Sequence, residues 1–221
     1  MRYHVVGVSL LAGLLVAAQA PAQERLPAPD AVLGFVPGSD SVLADWTQIT
    51  RYLSALAAAS SHMRLDTIGR STLGRPLLLA TFATPERLSR LDAIRAGQRM
   101  LADPRGLSPE TEDSLRRVQP AVVLINNNIH STEITSSQTQ LVLAHRLAAD
   151  PAHRALLDSV IVLLIPSANP DGLDTTVSWY RQYRGTAYEG GPLPFPRMSC
   201  SLRPCKPASR RARFPAGRSY L

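Results

Sequence analysis

The stretch AVVLINNNIHSTEI, Ala121 to Ile134, decides how the rest of the chain is read. It opens as a run rich in β-branched residues with no polar alternation, the pattern of a strand covered on both faces. The run then breaks into three asparagines and a His-x-x-Glu. His130 and Glu133 stand three apart at the turn from strand to helix. That spacing lets an imidazole and a carboxylate chelate one ion, and catalytic zinc commonly takes two His, one Glu and a water. Alone, the spacing is common, and a helix cap or a surface ion pair uses the same residues. Its place behind an apolar strand and an Asn-rich turn makes it a candidate metal site.

Working outward, TSSQTQLVLAHRLAA (residues 135–149) reads as a helix and SVIVLLIPSA (159–168) as a second apolar strand. Strand, helix, strand at this spacing predicts a right-handed crossover between parallel neighbours. Upstream, MRLDTIGRS and RPLLLATFAT read as two strands joined by the Gly-punctuated GRSTLG, a hairpin. SVLADWTQITRYLSALAAAS carries Val42, Leu43, Trp46, Ile49, Leu53 and Leu56 at helical spacing, with Ser41 or Asp40 to cap it. Residues 85–104 predict one further helix, with Pro85 in its first turn. Residues 105–120 read as a polar connection holding one helical turn. The expected fold class is α/β, a three-layer αβα arrangement with a mixed, largely parallel sheet. Ligands of such sheets bind beyond the carboxyl ends of the strands. His130 and Glu133 follow one such end, and Asn169, Asp171, Arg181 and Arg184 follow the next, so these polar groups are predicted to converge.

The 221-residue chain is 45% hydrophobic and 19% charged, a globular composition. MRYH, then VVGVSLLAGLLVAA, then small residues up to Ala22 form the three parts of a secretory signal peptide. Residues 1–22 are read as that signal, which makes the mature chain exported, periplasmic or extracellular, with no membrane span left after cleavage. The net charge of +7 does not mark a nucleic-acid binder, because its distribution is uneven. Residues 197–221 hold seven basic side chains and no acid, and the body of the chain is balanced without them. The body is therefore not expected to bind nucleic acid.

Several motifs in order, FVPGSD, TIGRSTLGRPLLLA, VLINNNIHSTEI, LIPSANPDGLD, SWYRQYRG and YEGGPLPF, resemble the zinc carboxypeptidases, carboxypeptidase A-like metallopeptidases, in their large exported bacterial branch. The resemblance runs from about Phe35 to Phe195. It implies a Zn2+-dependent enzyme that removes residues from the C-termini of peptides or proteins. Carried over by position, His130 and Glu133 are two zinc ligands. The NPDG turn, with Asn169 and Asp171, is structural. An arginine that polarises the scissile carbonyl falls on Arg184, with Arg181 as the alternative. An arginine suits that task because it is always charged and can stabilise an oxyanion. His62, His145 and His153 are read as surface or packing residues.

The pattern stops at Pro196. The family's third zinc ligand (a histidine), its Asn-Arg pair for the substrate carboxylate, its Tyr and its general-base Glu all come later. This chain has no His after His153, no Asn after Asn169 and no Glu after Glu189. Residues 23–196 are therefore read as the N-terminal part of the catalytic domain. Residues 197–221 are read as a basic, disordered tail of out-of-frame character, and the chain as inactive. Three other readings stay open: an aspartoacylase-like deacylase, which shares the His-x-x-Glu logic; a non-catalytic peptide- or glycan-binding remnant; and a basic tail, residues 197–221, that binds nucleic acid or anionic surfaces. Mass spectrometry of exported protein is expected to find Gln23 at the N-terminus; an intact Met1 contradicts the signal reading.

Overall fold

A computed structural model describes residues 26–189. The proposed signal, residues 1–22, and the basic tail, residues 197–221, lie outside the described residues. Four strands form one sheet in the order β1-β2-β4-β3: β1 (Met63–Arg70), β2 (Pro76–Phe82), β3 (Ala121–Asn126) and β4 (Val160–Ile165). β1 and β2 form the expected antiparallel hairpin, β2 also runs antiparallel to β4, and β3 runs parallel to β4. The sheet is mixed, as expected, and its parallel character among the described strands is confined to the β3–β4 pair.

Alternation along β2 and β4 builds two cores. Leu78, Ala80, Phe82, Val162 and Leu164 point to one face. There they meet α2 (Trp46–Ala59), α6 (Ile134–Ala149) and α8 (Pro170–Tyr183) through Ile49, Leu53, Leu141, Leu173 and Val177. A short α1 (Pro29–Leu33) packs beside α2. Leu79, Ala83, Ile161 and Leu163 point to the other face, against Leu88, Leu91 and Ile94 of α3 (Pro85–Ser89) and α4 (Leu91–Ala102). These are the three layers. Each fully buried Leu or Ile contributes roughly 1.5–3 kcal/mol of transfer free energy.

Three local expectations are corrected. The first long helix starts at Trp46, and its cap is Asp45 rather than Ser41 or Asp40. The Asp45 carboxylate accepts from Gln48 N–H, and the Gln48 amide oxygen accepts from Asp45 N–H, a reciprocal box that fixes the start. The helix expected over residues 85–104 breaks at Arg90, whose φ of −115° and ψ of 16° are not helical. The polar connection after it holds a three-turn helix, α5 (Pro109–Val118), with Ser108 as cap and Pro109 at its first position. Its sequence is too polar to show a buried face, and no α5 residue is buried.

β3 differs most from expectation. Apolar throughout, it reads as covered on both faces, yet Val123 is 43% and Leu124 55% exposed. Among the described residues β3 pairs only with β4, at the end of the four-stranded order. An apolar run does not distinguish a covered strand from one whose covering elements lie elsewhere. A four-residue α7 (Pro151–Arg154) then leads from α6 towards β4.

One ion-pair network ties the hairpin to the helical layer. Arg75, at the foot of β2, contacts Asp171 at 2.9 Å and Asp174 at 2.6 Å, both in the first turns of α8. Asp171 also accepts from Ser71 Oγ and Leu73 N–H in the hairpin turn, and Asp174 accepts from Trp46 N–H at the start of α2. Burial alone raises the Asp171 pKa. The hydrogen bonds from Ser71, Leu73 and Arg75, with the Arg75 charge, outweigh it and hold the carboxyl below its usual range. A carboxyl with a lower pKa folded than unfolded stabilises the native state fully above the unfolded value, about 3.9, and loses that contribution as pH falls through the folded value. Asp171→Asn is expected to destabilise the protein by about 1–3 kcal/mol at pH 7 in urea titrations. The gap to the unsubstituted chain should narrow below pH ~4; a pH-independent gap contradicts this account.

Candidate metal centre

The carboxyl ends of β3 and β4 continue into two loops that stay paired. Asn127 N–H donates to Ile165 O at 3.1 Å, Ala168 N–H to Asn127 O at 2.9 Å, and Asn169 N–H to Asn128 O at 3.1 Å. Asn128 is 1% exposed and sits at φ 51°, in the left-handed region that asparagine tolerates better than most residues. Both ends of its amide are used. Nδ2 donates to His130 O at 3.1 Å, and Oδ1 accepts from Ser167 Oγ at 2.7 Å. A buried left-handed residue with a satisfied amide turns the chain sharply off the strand and delivers His130 to the surface.

His130 and Glu133 then close on each other. His130 Nδ1 lies 2.7 Å from Glu133 Oε1, Glu133 Oε2 accepts from His130 N–H at 3.1 Å, and Glu133 N–H donates to His130 O at 3.1 Å. Glu133 occupies the N-cap position of α6. The bond from the His130 ring, then that from the His130 backbone, hold the Glu133 carboxyl below its ordinary range. The side chains remain open to solvent, His130 at 78% and Glu133 at 45%.

The donor set suits zinc. An imidazole nitrogen and a carboxylate oxygen sharing one tetrahedral ion at ~2.0–2.2 Å from each stand about 3.3 Å apart. The 2.7 Å observed needs only a small opening of the two side chains. Among the described residues no cluster of three or more His, Cys, Asp or Glu surrounds the pair. His153 bonds Asp150 at 2.7 Å, and His62 contacts Arg154, so each has a local structural partner.

The NPDG segment opens α8. Asn169 is its N-cap, its Oδ1 accepting from Gly172 N–H at 2.9 Å, and Pro170 fills the first helical position. Asn169 Nδ2 reaches across to Ile129 O, next to His130. A Cβ on Gly172 would stand 2.8 Å from Ser131 Cβ, so glycine is what lets the His-x-x-Glu loop lie against α8. Asp171 shapes the hairpin rather than its own turn. Arg181 and Arg184, expected to converge with His130 and Glu133, lie at the far end of a 14-residue helix. At 1.5 Å per residue, that end is about 20 Å from Asn169. Arg181 is held there by Asp45 at 2.9 Å, Leu43 O and Gln48 Oε1. Arg184 terminates the helix. The Asn169 cap, Pro170 and the acid in the first turn were signals for α8 that the sequence offered.

Residues 49–191 match the model of the peptidase M14 family, zinc carboxypeptidase, and the chain belongs to that family. It is 29% identical over 146 residues to human carboxypeptidase Z, covering 63% of this chain and 18% of that protein. It is 35% identical over 126 residues to human carboxypeptidase D, covering 55% of this chain and 9% of that protein. The solved carboxypeptidase A of Helicoverpa armigera aligns with a TM-score of 0.44 at 18% identity, over 72% of this chain and 32% of that one. The chain thus spans less than a fifth of the length of these two curated relatives.

Asn128→Ala leaves the Ser167 hydroxyl and His130 carbonyl without their buried partner and puts a Cβ residue less suited to φ > 0 at the turn. It is expected to cost about 2–4 kcal/mol in chemical denaturation. A loss below about 0.5 kcal/mol, the usual range of a surface change, contradicts this role.

Proposed function

We propose that His130 and Glu133 are two protein ligands of a Zn2+ ion in a carboxypeptidase site, and that the reaction is hydrolysis of C-terminal peptide bonds in peptides or proteins. The observation that carries this is the convergence of Nδ1 and Oε1 to 2.7 Å at the carboxyl edge of the sheet, in a chain of this family. When bound, the zinc lowers the pKa of its water and polarises the scissile carbonyl. His130 and Glu133 hold the ion, and the Asn128 amide fixes the loop that aims them. No observation favours the deacylase or the peptide-binding remnant.

Of the two arginines, Arg184 is the one proposed to stabilise the oxyanion. Arg181 is occupied at the α2 cap, whereas the Arg184 guanidinium has no hydrogen-bond partner among the described residues. As α8 stands, Arg184 lies about 20 Å of helical rise from Asn169. The signal reading supports export, and among the described residues no helix is long and apolar enough to cross a membrane.

The chain itself is proposed to bind zinc weakly and to lack turnover. Catalytic zinc usually has three protein ligands, and this pair supplies two. Titration calorimetry with zinc is expected to show binding that His130→Ala and Glu133→Ala each weaken at least tenfold and Arg184→Ala leaves unchanged. The chain should release no C-terminal residues from peptides. Unchanged zinc binding in His130→Ala contradicts the ligand assignment, and zinc-dependent peptide trimming by the chain contradicts its lack of turnover.

A further inference from the structure

Three successive carbonyls of the His130 loop are tied down, and Asn169 holds two of them. Its backbone N–H donates to Asn128 O at 3.1 Å, and its side-chain Nδ2 donates to Ile129 O at 3.2 Å. The third, His130 O, accepts from Asn128 Nδ2. The middle bond acts on more than a carbonyl. Ile129 C=O and His130 N–H belong to one peptide group, which is planar and nearly rigid. The N–H end of that group donates to Glu133 Oε2 at 3.1 Å. Asn169 therefore grips one end of a rigid plate whose other end grips the Glu133 carboxylate. With Oε2 taken by the backbone, Oε1 is the oxygen turned to His130 Nδ1, at 2.7 Å.

We infer that Asn169 is a positioning residue for the metal pair: its Nδ2, acting through the Ile129–His130 peptide, sets the angle at which Glu133 presents Oε1 beside His130 Nδ1. This rests on the reading of His130 and Glu133 as zinc ligands. Capping α8 needs only Oδ1 of Asn169, which accepts from Gly172 N–H at 2.9 Å. Ser or Thr would cap as well. Their hydroxyl stands one bond closer to the backbone than the amide nitrogen, and its oxygen is the atom the cap uses. Asparagine alone among these three caps with one atom and holds the second loop with another. The relay also gains from polarisation, because a carbonyl that accepts a hydrogen bond makes the N–H of its own peptide a better donor. Without Nδ2 the plate is freer to rock about the flanking backbone bonds. Zinc must then order the carboxylate as well as bind it, and affinity falls with the lost preorganisation.

The test is zinc calorimetry on the full chain, with the His130 amide proton followed by NMR at neutral pH before metal is added. In Asn169→Ser and Asn169→Thr, zinc binding is expected to weaken by about three- to tenfold, the worth of one hydrogen bond. The His130 amide proton should move to lower frequency as its bond to Glu133 loosens. Asp174 stands one turn further along α8 and bonds Trp46 and Arg75, not the His130 loop. Asp174→Asn therefore weakens the attachment of the helix and should leave both readouts unchanged. Circular dichroism of all three variants checks that they are folded, and the two Asn169 variants keep a capping oxygen. An unmoved His130 amide, zinc binding as tight as that of the unsubstituted chain, or an equal loss in Asp174→Asn overturns the inference and leaves the ligand pair standing. No zinc binding by the unsubstituted chain overturns the ligand reading and this inference with it.

Discussion

Asn128 is the constraint on which the candidate site depends. It is buried, left-handed and fully bonded, and it sits where β3 must stop being a strand. Its carbonyl holds the Asn169 N–H of the neighbouring loop, its amide holds Ser167 and the His130 carbonyl, and the turn it makes exposes His130. An unpaired buried amide is costly, so the geometry is all or nothing. With the bonds made, two loops from parallel strands form one platform. Without them, the His130 turn is held only by the Asn127 backbone pairs and the Asn169–Ile129 bond.

The second fixed element is the start of α8. Asn169 caps the helix and reaches the Ile129 carbonyl, Gly172 makes room for Ser131, and Asp171 and Asp174 clasp Arg75. One helical turn thus touches the metal loop, the hairpin and, through Trp46, the first long helix. The same arrangement separates the two ends of α8. Its N-terminus supports the site, while its C-terminus, through Arg181, braces α2.

Much of this was legible from residue pattern. The two apolar runs became β3 and β4, the Gly-punctuated segment became a hairpin, and the mixed sheet followed from placing a hairpin beside a parallel pair. The His-x-x-Glu spacing identified the pair that converges. What the pattern did not carry were features that depend on contacts far apart in sequence. The role of Asp171 as a clasp for Ser71, Leu73 and Arg75 depends on a hairpin nearly a hundred residues earlier. The exposure of β3 depends on what stands beside it, which an apolar run does not encode. The polar α5 escaped because its stabilisation is local, from Ser108, Pro109 and an Arg116–Glu112 pair, with no buried stripe to show a period. The separation of Arg184, and of its alternative Arg181, from the pair escaped for a different reason: counting along a motif gives chain distance, and a straight helix turns that distance into separation.

The proposal that His130 and Glu133 together hold zinc can be tested residue by residue. The chain has five histidines, and their imidazole resonances can be followed separately by NMR as zinc is added. The account predicts that the His130 resonance shifts or broadens first and that those of His62, His145 and His153 do not. It further predicts that Glu133→Gln, which removes the carboxylate but keeps the side-chain shape, suppresses the change at His130. A first response at any other histidine, or a His130 response indifferent to Glu133, would contradict it.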